Sequence, residues 1–271
     1  MNDEVLVAVA DRVATITINR PDARNALNRA VRRLLPKAIL ECEARDDVDV
    51  MILTGADPAF TAGIDLKEFG AGDAGGERFG GVGGSGSSGS GSSGSGPYRG
   101  ALPPRTKPLI AAVNGVAVTG GFEIALNCDF IIASDRARFA DTHARVGIMP
   151  GWGLTVLLAQ RIGVARARQM SITGNFLDAT TAYEWGLANE VVAHDDLLPR
   201  CRQLASDCLT IDQRAVRQML ATYREVSDAT VDQGWEVESR VSREWEGTGF
   251  DPAEIERKRQ AIVDRGRSQI S

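Results

Sequence analysis

The spacing of hydrophobic positions predicts short buried strands that alternate with helices along the chain up to Val192. The predicted strands occupy residues 5–10, 13–18, 48–54, 109–113 and 130–133. The first two are separated only by Asp11 and Arg12, so we expect them to form a hairpin. The later runs are apolar at nearly every position, which is typical of parallel strands covered on both faces. This pattern indicates an α/β core.

One predicted helix carries a proline in its interior. Apolar residues recur at helical spacing from Leu27 to Cys42, and Pro36 falls inside this stretch. Because proline lacks an N–H donor and its ring clashes with the preceding turn, we expect it to kink the helix or to end its first part.

After Val192 the apolar spacing is helical only. We therefore predict a core over residues 1–195 and a helical region over 196–271. The last helix is expected to begin at Asp251-Pro252, with an N-cap aspartate followed by proline at the first helical position. The large apolar residues of this region suit contacts between subunits, which favours a role in oligomerisation, and packing within one chain explains them equally well.

Residues 80–96 contain only Gly, Ser and the single Val82. This is the composition of a flexible loop or linker, since it offers nothing to bury. The tract contains a formal GxGxxG match from Gly81 to Gly86. It follows no predicted strand and opens no helix, so we reject it as a dinucleotide site.

Charge and composition narrow the class of function. The net charge is −5, which argues against a nucleic-acid partner. No stretch is apolar enough to span a membrane and no signal peptide is recognisable, so a cytoplasmic protein is expected. The four cysteines show no CxxC spacing and there are only two histidines. Neither a zinc site nor a disulfide framework is predicted.

Two glycine-containing turns are the first candidates for chemistry. They lie at residues 59–66 and 118–123, each after a buried strand. Glycine permits tight turns and close approach of the backbone, and the first turn of a helix offers unpaired N–H groups. Two such donors aimed at one oxygen form an oxyanion hole. Purely structural glycines are the alternative explanation.

Three segments, at residues 59–69, 107–115 and 120–129, carry a similarity to a known family that covers most of residues 13–193. In these segments the sequence resembles the enoyl-CoA hydratase/isomerase (crotonase) family. The resemblance implies a crotonase-like spiral core of ββα repeats with a helical C-terminal subdomain. It also implies acyl-CoA substrates, no cofactor beyond the CoA of the substrate, and homotrimers that often pair into hexamers.

The resemblance also assigns candidate binding groups. The oxyanion donors would be the backbone N–H groups of Ile64 and Gly120. Backbone near Ala62 and Asp65 would border the adenine and pantetheine of CoA. Arg24 would contact a phosphate, and a solvated surface arginine is the alternative.

The same resemblance assigns Glu123 to one of the two glutamates that hold and activate water in the hydratases. His143 occupies the position of the second glutamate. Hydration of an unsaturated thioester needs a base for water and an acid at the α-carbon, and imidazole can serve near neutral pH. Asp141 is a weaker candidate. The leading hypothesis is an enoyl-CoA hydratase.

Two other readings of the sequence stay open. A noncatalytic acyl-CoA-binding protein would keep the two glycine turns but turn nothing over. The other possibility is another reaction of the crotonase type, such as a double-bond shift or thioester hydrolysis.

Overall fold

The computed structural model describes residues 4–70, 100–248 and 252–270. The Gly/Ser tract of residues 80–96 and the predicted N-cap Asp251 lie outside the described residues. The strands are β1 (Val5–Ala10), β2 (Val13–Ile18), β3 (Val50–Gly55), β4 (Ala59–Thr61), β5 (Leu109–Val113), β6 (Val116–Val118), β7 (Phe130–Ser134), β8 (Arg138–Ala140), β9 (Leu177–Asp178) and β10 (Glu190–Val192). The helices are α1 (Arg29–Ala44), α2 (Leu66–Gly70), α3 (Gly120–Leu126), α4 (His143–Val146), α5 (Leu154–Ile162), α6 (Val164–Thr173), α7 (Ala179–Glu184), α8 (Leu197–Leu209), α9 (Gln213–Ser227), α10 (Val231–Thr248) and α11 (Pro252–Ile270).

Three ββα units follow one another in the chain: β3-β4-α2, β5-β6-α3 and β7-β8-α4. The first strand of each unit joins a larger sheet of order β1-β2-β3-β5-β7-β10, and the second joins a smaller sheet of order β4-β6-β8-β9. The β1-β2 hairpin is antiparallel, as predicted, and β2, β3, β5, β7 and β10 pair in parallel. The predicted α/β spiral is confirmed.

The central strands of the larger sheet are covered on both faces. In β3, Met51 and Leu53 belong to the main apolar cluster, whereas Val50 and Ile52 belong to a second cluster on the opposite face. Alternate residues of a strand point to opposite faces, so every position in this strand is buried. This explains why the strand reads as a continuous apolar run.

Helix α8 covers the second face of the larger sheet. Its buried residues Leu197, Cys201 and Ala205 recur every four positions and join the second apolar cluster. The chain divides into compact units of Met1–Ile211 and Asp212–Ser271. The division therefore falls later than the boundary expected after residue 195, because α8 packs on the sheet of the core.

The second unit contains α9, α10 and α11. Helices α9 and α10 contact each other, and the guanidinium of Arg240 in α10 pairs with Glu225 in α9 at 2.7 Å. The guanidinium of Arg214 lies 5.5 Å from the centre of the Trp245 ring. The helical character of this second unit agrees with the sequence pattern.

Helix α1 continues through Pro36. The Asn28 side chain caps its start by accepting from the Val31 N–H at 2.8 Å. Val31, Leu35 and Ile39 are fully buried at helical spacing. The expectation that Pro36 could end the helix is wrong, because burial of this apolar face outweighs the one N–H bond that proline cannot make.

Among the helices in the described parts of the chain, none combines the length and the apolar character that crossing a membrane requires.

Candidate active site

Three neighbouring strands of the smaller sheet end at one edge. Strand β4 pairs in parallel with β6, and β6 pairs in parallel with β8. Parallel strands present their carboxyl ends on the same side, so the segments that follow them must lie together. These segments carry the two glycine turns and the Asp141–His143 pair. The topology thus assembles the predicted site from three distant parts of the sequence.

The two glycine turns touch each other. A Cβ atom on Gly63 would overlap the hydroxyl of Thr119 and lie 2.7 Å from the carbonyl oxygen of Val118. A Cβ atom on Gly121 would lie 2.6 Å from the carbonyl oxygen of Thr61. Only glycine allows the backbones to approach this closely.

The N–H groups of Ile64 and Gly120 are oriented differently from those of their neighbours. The Leu27 N–H donates to the Gly63 carbonyl at 2.8 Å, and the Asp65 N–H donates to the Leu27 carbonyl at 3.3 Å. In this parallel bridge the N–H of Ile64 points away from Leu27. Gly120 is the first residue of α3, so its N–H has no acceptor within the helix. Neither the bridge nor the helix uses these two N–H groups. Their role as oxyanion donors stays a prediction.

Thr119, immediately before Gly120, has an unusual backbone conformation. Its φ is 48° and its ψ is −122°, although the side chain is β-branched. Its N–H donates to the Ala140 carbonyl at 3.2 Å, which ties the turn to β8. Strained backbone of this kind persists only where the surroundings enforce it and is common at functional sites.

The carboxylate of Glu123 is buried on the first turns of α3. Its Oε1 accepts from the Trp152 N–H at 2.7 Å and from the Leu154 N–H at 3.3 Å. Helix α5 begins at Leu154 behind Gly153, which has no side chain to cap it. Glu123 therefore supplies the cap from another helix and is fixed in place by it.

His143 lies between two carboxyl side chains. Its Nε2 is 3.4 Å from Glu123 Oε2, and its Nδ1 is 2.7 Å from Asp141 Oδ1. The backbone N–H of His143 donates to the same Asp141 oxygen at 3.2 Å. Ser171 in α6 also hydrogen-bonds the Asp141 side chain. The structure thus brings Glu123 and His143 together and places Asp141, the weaker sequence candidate, in direct contact with the imidazole.

The surroundings shift the pKa of His143 upward. Burial alone would lower it, but the hydrogen bonds to Asp141 and Glu123 and the charges of both groups outweigh burial and raise the pKa to about 9. For Asp141, burial raises the pKa, and hydrogen bonds from His143 and Ser171 overcome that effect, so the pKa is lowered. The imidazole is therefore protonated at neutral pH.

The candidate CoA contacts lie near one another. The Ala62 N–H donates to the Arg24 carbonyl at 2.9 Å, and the Arg24 side chain is exposed. The Asp65 carboxylate pairs with Arg20 at 3.1 Å and accepts from the Lys67 N–H at 3.2 Å. The carboxylate of Asp65 thus has structural partners, which leaves its backbone as the part able to border a ligand. The CoA contacts stay predictions.

Sequence reasoning did not identify Trp152 as part of the site. Its ring packs against Gly120, where an added Cβ would lie 2.5 Å from Trp152 Cζ3. The two residues are far apart in the chain, and no local pattern links them.

A second histidine network lies at the carboxyl ends of three strands of the larger sheet, β3, β7 and β10. His194 Nδ1 is 3.0 Å from Ser134 Oγ, and His194 Nε2 is 3.1 Å from Asp57 Oδ2. The residue types match those of a serine hydrolase, but Ser134 is 0% exposed. Because an acyl group cannot reach this hydroxyl, the network serves to connect β7, β10 and the loop after β3.

A spiral of ββα units whose glycine turns meet beside a buried acid–base pair defines a class of fold, and known proteins share it. The sequence profile described as "Enoyl-CoA hydratase/isomerase" matches residues 9–248. A short-chain-enoyl-CoA hydratase of Clostridium acetobutylicum is 35% identical over 79% of this chain and 78% of its own length. A crotonyl-CoA hydratase of Syntrophomonas wolfei is 32% identical over 88% of this chain and 87% of its own.

The similarity extends to solved structures. The crystal structure of an enoyl-CoA hydratase from Mycobacterium tuberculosis H37Rv aligns with a TM-score of 0.72 and 45% identity, covering 91% of this chain and 100% of that one. The chain belongs to the enoyl-CoA hydratase/isomerase family.

Proposed function

We propose that the protein is an enoyl-CoA hydratase that adds water across the α,β double bond of a short acyl-CoA thioester. The observation that carries this proposal is the buried Glu123–His143 pair beside the two donor turns. It combines a carboxylate, a protonated imidazole and two backbone donors in one place. Those are the groups that hydration requires.

The two turns would stabilise the enolate. The thioester carbonyl oxygen would accept from the N–H groups of Ile64 and Gly120, and negative charge would develop on that oxygen as water adds to the β-carbon. Fixed donors in a site that excludes water stabilise such charge strongly, by about 3 kcal/mol for one donor. The contact of Gly63 with Thr119 supports this assignment because it holds the two donors side by side.

Glu123 and His143 would divide the proton transfers. Glu123 takes a proton from water while the water oxygen bonds to the β-carbon. His143 then delivers its Nε2 proton to the α-carbon, and the electrons of the enolate reform the carbonyl. A proton passing from Glu123 to His143 across the 3.4 Å contact restores the starting state. Asp141 does not meet the substrate and instead holds Nδ1 of the imidazole.

Burial of these charges favours catalysis over mere binding. Taking ionised groups out of water costs several kcal/mol per group before pairing offsets it. A protein that only binds acyl-CoA has no use for an imidazolium held between two carboxyl groups. The relatives named as short-chain and crotonyl-CoA hydratases support short unsaturated thioesters as substrates.

The proposal also covers the cofactor, the oligomeric state and the location of the enzyme. The chemistry needs no cofactor beyond the CoA of the substrate. Met219, Tyr223 and Trp235 are large exposed apolar residues on α9 and α10, and they support contact with further copies of the chain in a homotrimer or hexamer. A cytoplasmic location agrees with the sequence pattern.

The proposal is tested by incubating the purified protein with crotonyl-CoA. Loss of the absorbance of the unsaturated thioester and a product heavier by one water molecule are expected. A product of unchanged mass would indicate an isomerase, and free CoA thiol would indicate hydrolysis. Binding of crotonyl-CoA with no turnover would overturn the proposal in favour of an acyl-CoA-binding protein.

A further inference from the structure

Trp152 touches the candidate oxyanion donor. If Gly120 carried a Cβ atom, that atom would lie 2.5 Å from Cζ3 of the indole and 3.3 Å from both Cε3 and Cη2. The edge of the six-membered ring therefore packs directly on the Gly120 Cα. The indole fills the space in which a side chain at position 120 would stand.

The backbone of Trp152 is attached to the same helix that carries the base. Its N–H donates to Glu123 Oε1 at 2.7 Å, and its carbonyl accepts from Asn127 Nδ2 at 2.9 Å. Glu123 lies in α3, whose first residue is Gly120, and Asn127 is the C-cap residue of the same helix. The position of the indole is thus fixed relative to the donor and the base together.

The indole is only partly buried, although it packs against the main apolar cluster. Glu123 and His143 are nearly inaccessible by comparison, with side chains 2% and 3% exposed. Trp152 therefore contacts the core and keeps part of its surface accessible, next to two charged side chains that are buried. A large side chain in this position can border a substrate bound at Gly120.

We propose that Trp152 forms the wall of the acyl pocket beside the thioester and restricts the enzyme to short acyl chains. The inference rests on the proposed function. A carbonyl oxygen bound at Gly120 places the α- and β-carbons within a few ångströms of both Glu123 and the indole. The remaining acyl carbons must then pass the ring. A large, rigid aromatic side chain that is fixed by packing does not move aside easily to make room for the extra methylene groups of a longer acyl chain.

The test compares a short and a long substrate on the same enzyme. We expect Trp152→Ala to raise the ratio of kcat/KM for trans-2-decenoyl-CoA to kcat/KM for crotonyl-CoA by about tenfold or more, the range that pocket contacts with a few methylene groups provide. Trp152→Phe should shift the ratio in the same direction by less. The ratio does not depend on how much of a preparation is folded. A role confined to folding would lower both rates and leave the ratio unchanged.

Trp185→Ala is the matched control. Trp185 also packs partly buried against the main cluster, and the guanidinium of Arg166 lies 5.1 Å from its ring centre. This substitution should leave the chain-length ratio unchanged. If Trp185→Ala shifts the ratio as much as Trp152→Ala, general loosening of the fold explains the effect and the inference is overturned.

The outcomes separate the inference from the proposed function. If the native enzyme hydrates crotonyl-CoA and neither Trp152 variant changes the ratio, the inference fails and the proposed function stands. If the native protein hydrates neither substrate, the proposed function fails. In that case the dissociation constants of butyryl-CoA and decanoyl-CoA still test the pocket, since Trp152→Ala must strengthen binding of the longer thioester relative to the shorter. An unchanged ratio of dissociation constants would refute it.

Discussion

Nε2 of His143 faces Oε2 of Glu123 across 3.4 Å, with both side chains almost wholly buried. The folded chain has placed a protonated imidazole and a carboxyl group away from water, where an apolar pair of the same volume would be no less stable. A buried imidazole whose neighbours raise its pKa to about 9 is typical of a functional site. In the proposed mechanism, the proton that Glu123 takes from water can pass directly to His143 across this contact and restore the starting state.

Glu123→Gln should reduce kcat for crotonyl-CoA hydration by about 10²–10⁴-fold, because the amide cannot accept the proton from water. The fold should persist, since the amide oxygen can still accept from the Trp152 and Leu154 N–H groups that now bind Oε1. Binding of a saturated acyl-CoA, measured by calorimetry, should change little. Undiminished turnover would remove Glu123 from the role of base.

Glu41→Gln is a suitable control for that variant. Glu41 lies on α1 with its side chain 63% exposed, in an (i,i+4) pair with Lys37. Exposed pairs of this kind contribute less than about 1 kcal/mol to stability. The same change of charge at this position should therefore leave both kcat and KM unaltered.

The rate of hydration should depend on pH through His143. An acid at the α-carbon must be protonated, and the folded protein raises the pKa of this imidazole to about 9. The contribution of His143 is therefore complete at neutral pH and is lost as the pH rises through about 9. A profile of kcat against pH should stay level on its neutral side and fall tenfold per pH unit above that value. A fall in kcat that begins near the ordinary histidine pKa, and so forms the alkaline limb of the profile there, would contradict the assignment.

Asp141→Asn should move that alkaline limb to lower pH. The hydrogen bond and charge of Asp141 raise the pKa of His143, so replacing the carboxylate by a neutral amide lowers it. Asp178→Asn is the control, because Asp178 caps α7 through the Thr181 N–H at 2.8 Å and does not contact the imidazole. If Asp141→Asn reduces the rate without moving the limb, Asp141 serves the fold alone.

The elements of the fold were predictable where one pattern dominated. The two strands of the β1-β2 hairpin match their predicted bounds, because each is a short β-rich run and only Asp11 and Arg12 separate them. The end of the core unit was not predictable. The apolar stripe of α8 looks the same whether it faces the core sheet or a neighbouring helix. Periodicity identifies a buried face but does not name what covers it.

The site was predictable to the extent that its residues lie in recognisable segments. The turns at Gly63 and Gly120 follow strands in the sequence, and their contact follows from the parallel pairing of β4 and β6. The packing of Trp152 on Gly120 depends on how α5 meets α3, which no local pattern encodes. The tie between Asp141 and Ser171 is hidden for the same reason.

Pro36→Ala should stabilise the protein. An alanine at this position restores the N–H that a helix directs to the carbonyl four residues earlier, at Arg32, and removes the clash of the ring. Because proline also restricts the unfolded chain, we expect a net gain of about 1–2 kcal/mol in the free energy of unfolding. Lys37→Ala is the control, since it is exposed on the same helix and already has an N–H. Urea denaturation measures both. A loss of stability in Pro36→Ala would show that packing of the ring outweighs the missing bond.

Gly63→Ala should disrupt the contact between the two turns. The new methyl group would overlap Thr119 Oγ1, and the residue would keep a φ near +80°. Gly163→Ala has the same backbone strain, with φ of +79°, but its Cβ meets nothing within 4 Å. We expect Gly163→Ala to lose about 1–2 kcal/mol of stability from strain alone and to keep its kcat/KM. Gly63→Ala should lose more stability and about 10²-fold in kcat/KM, because a shift of about 1 Å in catalytic groups has effects of that size. Equal losses in the two variants would mean that the approach of Gly63 to Thr119 does not set the position of the donors.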